Sequence, residues 1–296
     1  MKVEAISHGT GRIIAINGKG SAFALNLDVK VRVRLLEEKE IIGDSLEIET
    51  AKKILNFFNY DYGFEIETEN NLPESIGRKE AVSSAVTLAI VGALARIHGS
   101  INELRIDKFL SEQFFVIDKK LVDKQKLMEL CSSEENFDRI SASFYGGFCI
   151  TDNREKRILR RGEMENLCIV ILIPERFQKD DLSLFQDEAE MIWNEALKGN
   201  LYDAMKLNSL LYSAQRRVID KMLNSGALTV NISDGALMAL IRDKSIEPVR
   251  NSVRGNGSIL IAKTANQEAR VLGKPKRIMK LKEFLELKKD QEFHFL

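Results

Sequence analysis

Between residues 22 and 36 the chain alternates. Val29, Val31, Val33 and Leu35 fall on one side, and Lys30, Arg32 and Arg34 on the other. A period of two marks a strand with one face in the core and the other in water. Arg12-Ile13-Ile14-Ala15-Ile16 predicts a second strand, with Asn17-Gly18-Lys19-Gly20-Ser21 as the turn between them. Residues 46 to 58 carry apolar side chains at helical spacing, and residues 62 to 68 predict another strand. Residues 81 to 97 are apolar almost throughout, broken by Ser83, Ser84, Thr87 and Gly92. That run is short for a bilayer span and predicts a buried helix.

Further along, helical spacing covers about 103 to 132, and strands are expected at 142 to 151, 157 to 161 and 167 to 174. The last of these, Leu167-Cys168-Ile169-Val170-Ile171-Leu172-Ile173, is apolar on both faces and so buried on both. Helices are predicted at 188 to 197, 202 to 223 and 235 to 241, and strands at 252 to 254, 258 to 263 and 277 to 279. Residues 280 to 289 form a charged helix whose charge run is a solvated face. Strands and helices mix without regular alternation, which predicts an α+β fold. The division expected is residues 1–165 and 166–296.

Bulk composition narrows the function. Lys plus Arg and Asp plus Glu number 44 each, so no broad basic face for nucleic acid is expected. The first 19 residues lack the apolar core of a signal peptide, and no membrane partner is expected. Cys131, Cys149 and Cys168 are odd in number and form no CxxC pair, which fits a reducing cytoplasm. His8, His98 and His294 are too scattered to suggest a metal site.

Four segments carry candidate chemistry. In Asn71-Leu72-Pro73-Glu74-Ser75-Ile76-Gly77-Arg78-Lys79-Glu80-Ala81-Val82-Ser83-Ser84 a Pro- and Gly-containing loop enters an apolar helix. Free N–H groups and the dipole at such a helix start attract phosphate, and the alternative is a plain helix entry. Asn136 to Asn153 runs through Asp138-Arg139-Ile140-Ser141-Ala142-Ser143-Phe144-Tyr145-Gly146-Gly147 to Thr151-Asp152-Asn153. Gly18-Lys19-Gly20-Ser21-Ala22-Phe23-Ala24-Leu25-Asn26-Leu27 is glycine-rich between strands. Ser252-Val253-Arg254-Gly255-Asn256-Gly257-Ser258 permits a tight turn and close approach of a ligand, or a simple hairpin.

In this order these segments resemble the GHMP small-molecule kinases, and most of all the archaeal shikimate kinases. There the second segment reads Phe-Asp-Asp-Ala-Ser-Ala-Ser-Phe-Phe-Gly-Gly, the third Gly-Lys-Gly-Ser-Ala-Phe-Gly-Leu-Asp-Leu, and the phosphate loop roughly Ile-Pro-x-x-x-Gly-Leu-Lys-Ser-Ser-Ser-Ala. Two further segments, Leu172-Ile173-Pro174-Glu175-Arg176 and 204–213, resemble the family's later strand and central helix. The resemblance implies two α+β lobes with the active site between them. It implies transfer of the γ-phosphoryl group of ATP, with Mg²⁺, to a hydroxyl of shikimate. Another small alcohol such as homoserine or mevalonate, or a non-catalytic relative, is the alternative.

The resemblance also distributes roles. Pro73, Gly77, Lys79, Ser83, Ser84, Gly255 and Gly257 would hold the nucleotide, with Ser83 and Ser84 on the metal through a shifted helix start. Lys79, Asp138 and Arg139 would be catalytic. Lys19, Ser21, Asn26, Ser141, Gly146, Gly147 and Arg254 would face the acceptor, with Lys19, Arg139 or Arg254 pairing a carboxylate. The chain departs from the family at several places, among them Asn26 where an Asp is expected. Glu80, Ala81 and Val82 stand where the serine triplet is expected, Arg254 and Ser258 depart in the Ser-Gly-x-Gly-Pro-Ala motif, and Arg139 occupies the position of the catalytic Asp. A guanidinium stays protonated and cannot be that base.

Overall fold

The computed structural model describes residues 1–105, 111–178 and 182–292. A long hairpin opens the chain: β1 (Lys2–Ile16) and β2 (Lys19–Leu35) pair antiparallel from Val3↔Val33 to Ile16↔Lys19. Their turn, Asn17-Gly18, has φ of 49° and 78°, the geometry that matches the strands' twist. Then come β3 (Ile41–Ile42), α1 (Ser45–Phe58), β4 (Phe64–Glu69) and α2 (Arg78–His98). The capping box of Asp44 and Glu47 starts α1. α2 is the described helix long and apolar enough to cross a membrane, and it lies buried in the protein core.

Next follow β5 (Gly99–Arg105), β6 (Ser111–Ile117), β7 (Lys120–Val122), α3 (Lys124–Cys131), α4 (Phe137–Tyr145), β8 (Phe148–Asp152) and β9 (Arg157–Gly162). Two expectations fail here. Residues 103–105, 111–117 and 120–122 are strand rather than helix: β6 pairs with β5 and β7 and buries Phe115 and Ile117 on one face and Phe114 on the other. Residues 142–145 end a helix, and the strand begins only after Gly146-Gly147 turns the chain with φ of 70° and 58°.

The remaining elements are β10 (Cys168–Pro174), α5 (Gln186–Lys198), α6 (Leu201–Leu210), α7 (Arg216–Asn224), β11 (Thr229–Ser233), β12 (Ala236–Ile241), α8 (Ile246–Ser252), β13 (Gly257–Lys263), β14 (Arg270–Val271), β15 (Arg277–Lys280) and α9 (Leu281–Glu292). The helix expected at 235–241 is β12: an apolar run buried on both faces has no period to tell the two apart. The helix expected over 202–223 breaks between α6 and α7, and 252–254 is the end of α8 and its turn. His294 lies outside the described residues.

Among the described residues three sheets form. The first carries β14-β1-β2-β4-β3, with β8 on the lower half of β2 and β9 beyond it. The second is β11-β12-β10-β13, and the third β15-β5-β6-β7. One buried core runs through the first two, joining α2, β2, β10 and β12. A cut after residue 165 does not describe the chain. β14 returns to pair with β1, and β15 with β5, so the last segment is part of the first lobe.

Candidate active site

Arg12 sits where β1 shifts register against β2, between Arg12 and Ile14. Such irregularities re-aim side chains. Here the guanidinium meets the start of α4. Its Nε donates to Asp138 Oδ2 at 2.8 Å and its Nη2 to Asp138 Oδ1 at 2.8 Å. Nη2 also donates to the Glu135 carbonyl at 2.6 Å, and Asn153 Nδ2 donates to Asp138 Oδ1 at 3.3 Å. Asp138 is fully buried against Gly20, where a Cβ would come within 2.7 Å of its Cγ. Burial disfavours the Arg12 cation, but Asp138 first, then Asp234 and Glu80, outweigh it and raise its pKa.

Arg139 follows about 100° around the helix and faces another way. Its Nη2 donates to Ser233 Oγ at 2.8 Å and pairs with the Asp234 carboxylate. Its Nη1 lies 3.9 Å from Glu80 Oε2, and the side chain is 3% exposed. One guanidinium therefore joins α4, the β11–β12 turn and the first turn of α2.

That turn is fixed against β1. Ser233 Oγ accepts from the Arg12 backbone N–H at 2.9 Å, and Asn231 Nδ2 donates to the Arg12 carbonyl at 2.8 Å. Asn208 of α6 donates to Asn231 Oδ1 at 2.9 Å and to the Ile232 carbonyl at 2.8 Å. A cleft of about 420 Å³ opens here, lined by Arg12, Phe177, Asn208, Tyr212, Ser233 and Asp234 among others. A larger cavity of about 690 Å³ lies between α1 and α3, with Phe57, Leu121 and Val122 on its walls. It shares no residue with the charged groups described above, so the smaller cleft is the candidate site.

The loop before α2 turns on Gly77, with φ of 72°. A Cβ there would stand 2.2 Å from Thr10 Oγ1 of β1. That hydroxyl is buried and has no hydrogen-bond partner among the described residues. Arg78 and Lys79 occupy the first turn of α2, where the helix dipole disfavours cations; Arg78 pairs with Glu74 at 3.6 Å, which leaves Lys79 as the cation a phosphate would join. Lys79 is exposed. The glycine turn, the helix start and the exposed Lys79 fit a phosphate group. Beside this loop a cavity of about 610 Å³ is lined by Asn26, Leu27, Asp28, Asn70, Asn71, Leu72 and Leu260 among others.

Ser83 and Ser84 do not fit a metal ion. α2 begins at Arg78 directly after Gly77, so no shifted start brings them to the loop; both lie in the second turn and are buried. Ser84 Oγ has no hydrogen-bond partner among the described residues. Removing an orphaned buried hydroxyl relieves its desolvation. Ser84→Ala is therefore expected to keep or raise the unfolding temperature and to leave the Mg²⁺ dependence of turnover unchanged. A titration of rate against Mg²⁺ checks this.

Of the residues expected at the acceptor, none lines the 420 Å³ cleft. Lys19 pairs with Glu190 at 2.5 Å over the Trp193 ring and ties the first hairpin to α5. Asn26 Oδ1 accepts from the Lys263 backbone N–H at 2.6 Å, and Asn26 lines the cavity beside the loop before α2. The hydroxyls of Ser21 and Ser141 are buried in packing. Gly146 and Gly147 are required by close backbone, since a Cβ would meet the Gln267 carbonyl at 2.4 Å and the Gly162 carbonyl at 2.0 Å. Gly257 starts β13, with a Cβ position 2.1 Å from the Ile173 carbonyl, while Gly255 faces open space and Arg254 is exposed. The turn that reaches α4 is 233–235. Arg139 is held by protein carboxylates and not offered to a substrate carboxylate. Burial pushes Cys149 up to about 12 and Cys131 up to about 12, so neither is a nucleophile.

Arg12, Asn231, Ser233 and Asp234 are not singled out as site residues in the sequence, while Glu80 is noted only as a departure from the serine triplet and Asn208 only within 204–213. One signal was there to find two of them: Asp234-Gly235 between apolar runs is a strong hairpin mark, and it places Ser233 and Asp234 at a tip. Arg12 shows only as a lone cation before Ile13-Ile14.

The architecture is shared with solved small-molecule kinases. Homoserine kinase from Cytophaga hutchinsonii superposes with a TM-score of 0.64 at 16% identity, covering 92% of this chain and 97% of that one. Mevalonate kinase from Methanococcus jannaschii gives 0.59 at 13% identity, covering 92% and 98%. The fold is that of the GHMP kinases, α+β in two lobes with a cleft between them. No protein-family profile matches the chain. Among curated proteins, shikimate kinase of Methanothermobacter thermautotrophicus is 27% identical over 297 residues, 92% of this chain and 99% of that one. That of Methanocella arvoryzae is 30% identical over 227 residues, 72% and 73% of the two chains. The chain belongs to the archaeal shikimate kinase family of small-molecule kinases.

Proposed function

We propose that the protein transfers the γ-phosphoryl group of ATP to a hydroxyl of shikimate. The observation that carries this is the continuous line from Glu80 in the first turn of α2, through Arg139, to Ser233 and Asp234 on the cleft wall. Phosphates seated at Gly77 and Lys79 would lie next to an acceptor in that cleft. The 610 Å³ cavity beside the loop offers room for the base and ribose. Magnesium would arrive with the nucleotide, and no step here is assigned to it.

The cleft suits a polyhydroxy acid. Arg12 Nη1 is the terminal nitrogen not bound to Asp138 or Glu135, and Arg12 lines the cleft, so it can meet a carboxylate. Asn208 uses its amide N–H groups on protein and keeps its carbonyl oxygen for a hydroxyl. Catalysis then comes from placing and charge, because a loose phosphoryl-transfer transition state asks little covalent help of the protein. The purified protein is expected to release ADP from Mg-ATP when shikimate is added. ADP release with homoserine or mevalonate and none with shikimate would overturn the acceptor and keep the kinase. No transfer to any of them would overturn the function.

A further inference from the structure

We propose that Asp234 is the group that takes the acceptor's proton, held in place by Arg139. The inference rests on the kinase function proposed above and assigns its missing base. Position 139 carries a cation where the resemblance calls for a carboxylate. The structure puts a carboxylate back beside that position from another element. Asp234 sits on the tip of the β11–β12 hairpin and pairs with Arg139 Nη2, while Ser233 accepts from the same nitrogen at 2.8 Å.

Two carboxylates compete for the role, and geometry separates them. Asp138 has both oxygens engaged by Arg12, with Asn153 on one of them as well, and no exposed surface. It offers no route for a proton in or out. Asp234 lines the cleft and its side chain is 50% exposed. One oxygen faces Arg139, and the half-exposed carboxylate can still reach an acceptor hydroxyl and later return a proton to water. The charged groups around it are Arg139 of α4, Arg12 of β1 and Glu80 of α2, and Tyr212 shares the cleft wall.

The step balances simply. The acceptor O–H gives its proton to Asp234 as its oxygen bonds to the γ-phosphorus. The bond from that phosphorus to the β,γ-bridging oxygen breaks, and ADP leaves with the electron pair. Asp234 then loses the proton to solvent. Arg139 is a positioning residue in this step: it keeps the carboxylate against the cleft and near the phosphate loop.

The test is Asp234→Asn in the full chain, assayed with Mg-ATP and shikimate from acid to neutral pH. Asn tolerates the left-handed backbone at 234, φ 44°, so the hairpin survives. The expected result is a fall in kcat of about 10²-fold, the lower range for general-base assistance. ATP affinity should be unchanged, and the decline of kcat toward acid pH should vanish. Near-wild-type kcat with the acid decline intact would overturn the proposal. So would loss of the acid decline in Asp138→Asn instead. If wild type itself transfers nothing to shikimate, the functional assignment fails first and this inference with it; an active wild type with an equally active Asp234→Asn fails the inference alone.

Discussion

Gly77→Val is expected to abolish stabilisation by Mg-ATP and to weaken the fold by about 2–4 kcal/mol. Two independent costs add. The backbone at Gly77 is left-handed, with φ of 72°, which a β-branched residue enters only under strain. Any Cβ also lands 2.2 Å from Thr10 Oγ1, on a strand fixed in the core sheet. Either the loop moves away from β1 or the hydroxyl is displaced, and both spoil the surface where phosphates must approach backbone. Wild type at 100 times the dissociation constant of Mg-ATP should gain about 2.7 kcal/mol by mass action, read as a rise in unfolding temperature. Lys79→Ala is the companion measurement. It is exposed and strains nothing, so the fold should be intact while the barrier rises by about 3 kcal/mol, the cost of one preorganised electrostatic contact. Both variants binding ATP and turning over like wild type would reduce the loop to a helix entry.

The frame of the molecule was readable because its periods are clean. The alternation of Val29 to Leu35, the Asn17-Gly18 turn and the apolar helix after Gly77 each follow from local rules, and each stands where expected. Segments failed where period says nothing or where the sheet decides. Residues 236 to 241 are buried on both faces, and a fully apolar run fits strand and helix alike. β6 is a strand because β5 and β7 flank it. The segments at α4 and before α2 stood out in the chain because motif-like residues lie there in sequence. Arg12 and Asp234 did not stand out: they are 222 positions apart by their numbers and line one cleft, Arg12 hydrogen-bonding to the β11 strand through Ser233 and Asn231. The departures also make sense together. Glu80 and Arg139, each foreign to the motif, lie 3.9 Å apart with opposite charge, and Glu80 joins Asp234 in balancing the buried guanidinium.

Asp138→Asn should cost about 3–5 kcal/mol of stability, the usual result of removing one partner from a buried ion pair. An amide cannot accept from both Arg12 Nε and Nη2: its –NH₂ would point at one of these donors, and Arg12 would lose its hydrogen-bonded counter-ion and keep only the more distant Asp234 and Glu80. The molecules that remain folded, for instance with saturating Mg-ATP, should turn over within about tenfold of wild type, because Asp138 touches Arg12 and not the cleft. Replacing both partners separates the two tasks of Arg12. In Arg12→Met with Asp138→Leu no buried charge is left alone, and much of the stability lost in the single variant should return. Affinity for the acceptor carboxylate should not return, since Arg12 Nη1 is gone from the cleft wall. Denaturant unfolding measures the first effect and the KM for shikimate the second. Full stability of Asp138→Asn with collapsed turnover would make Asp138 the base, and the Arg12 pair would then be a means of tuning it rather than a strut.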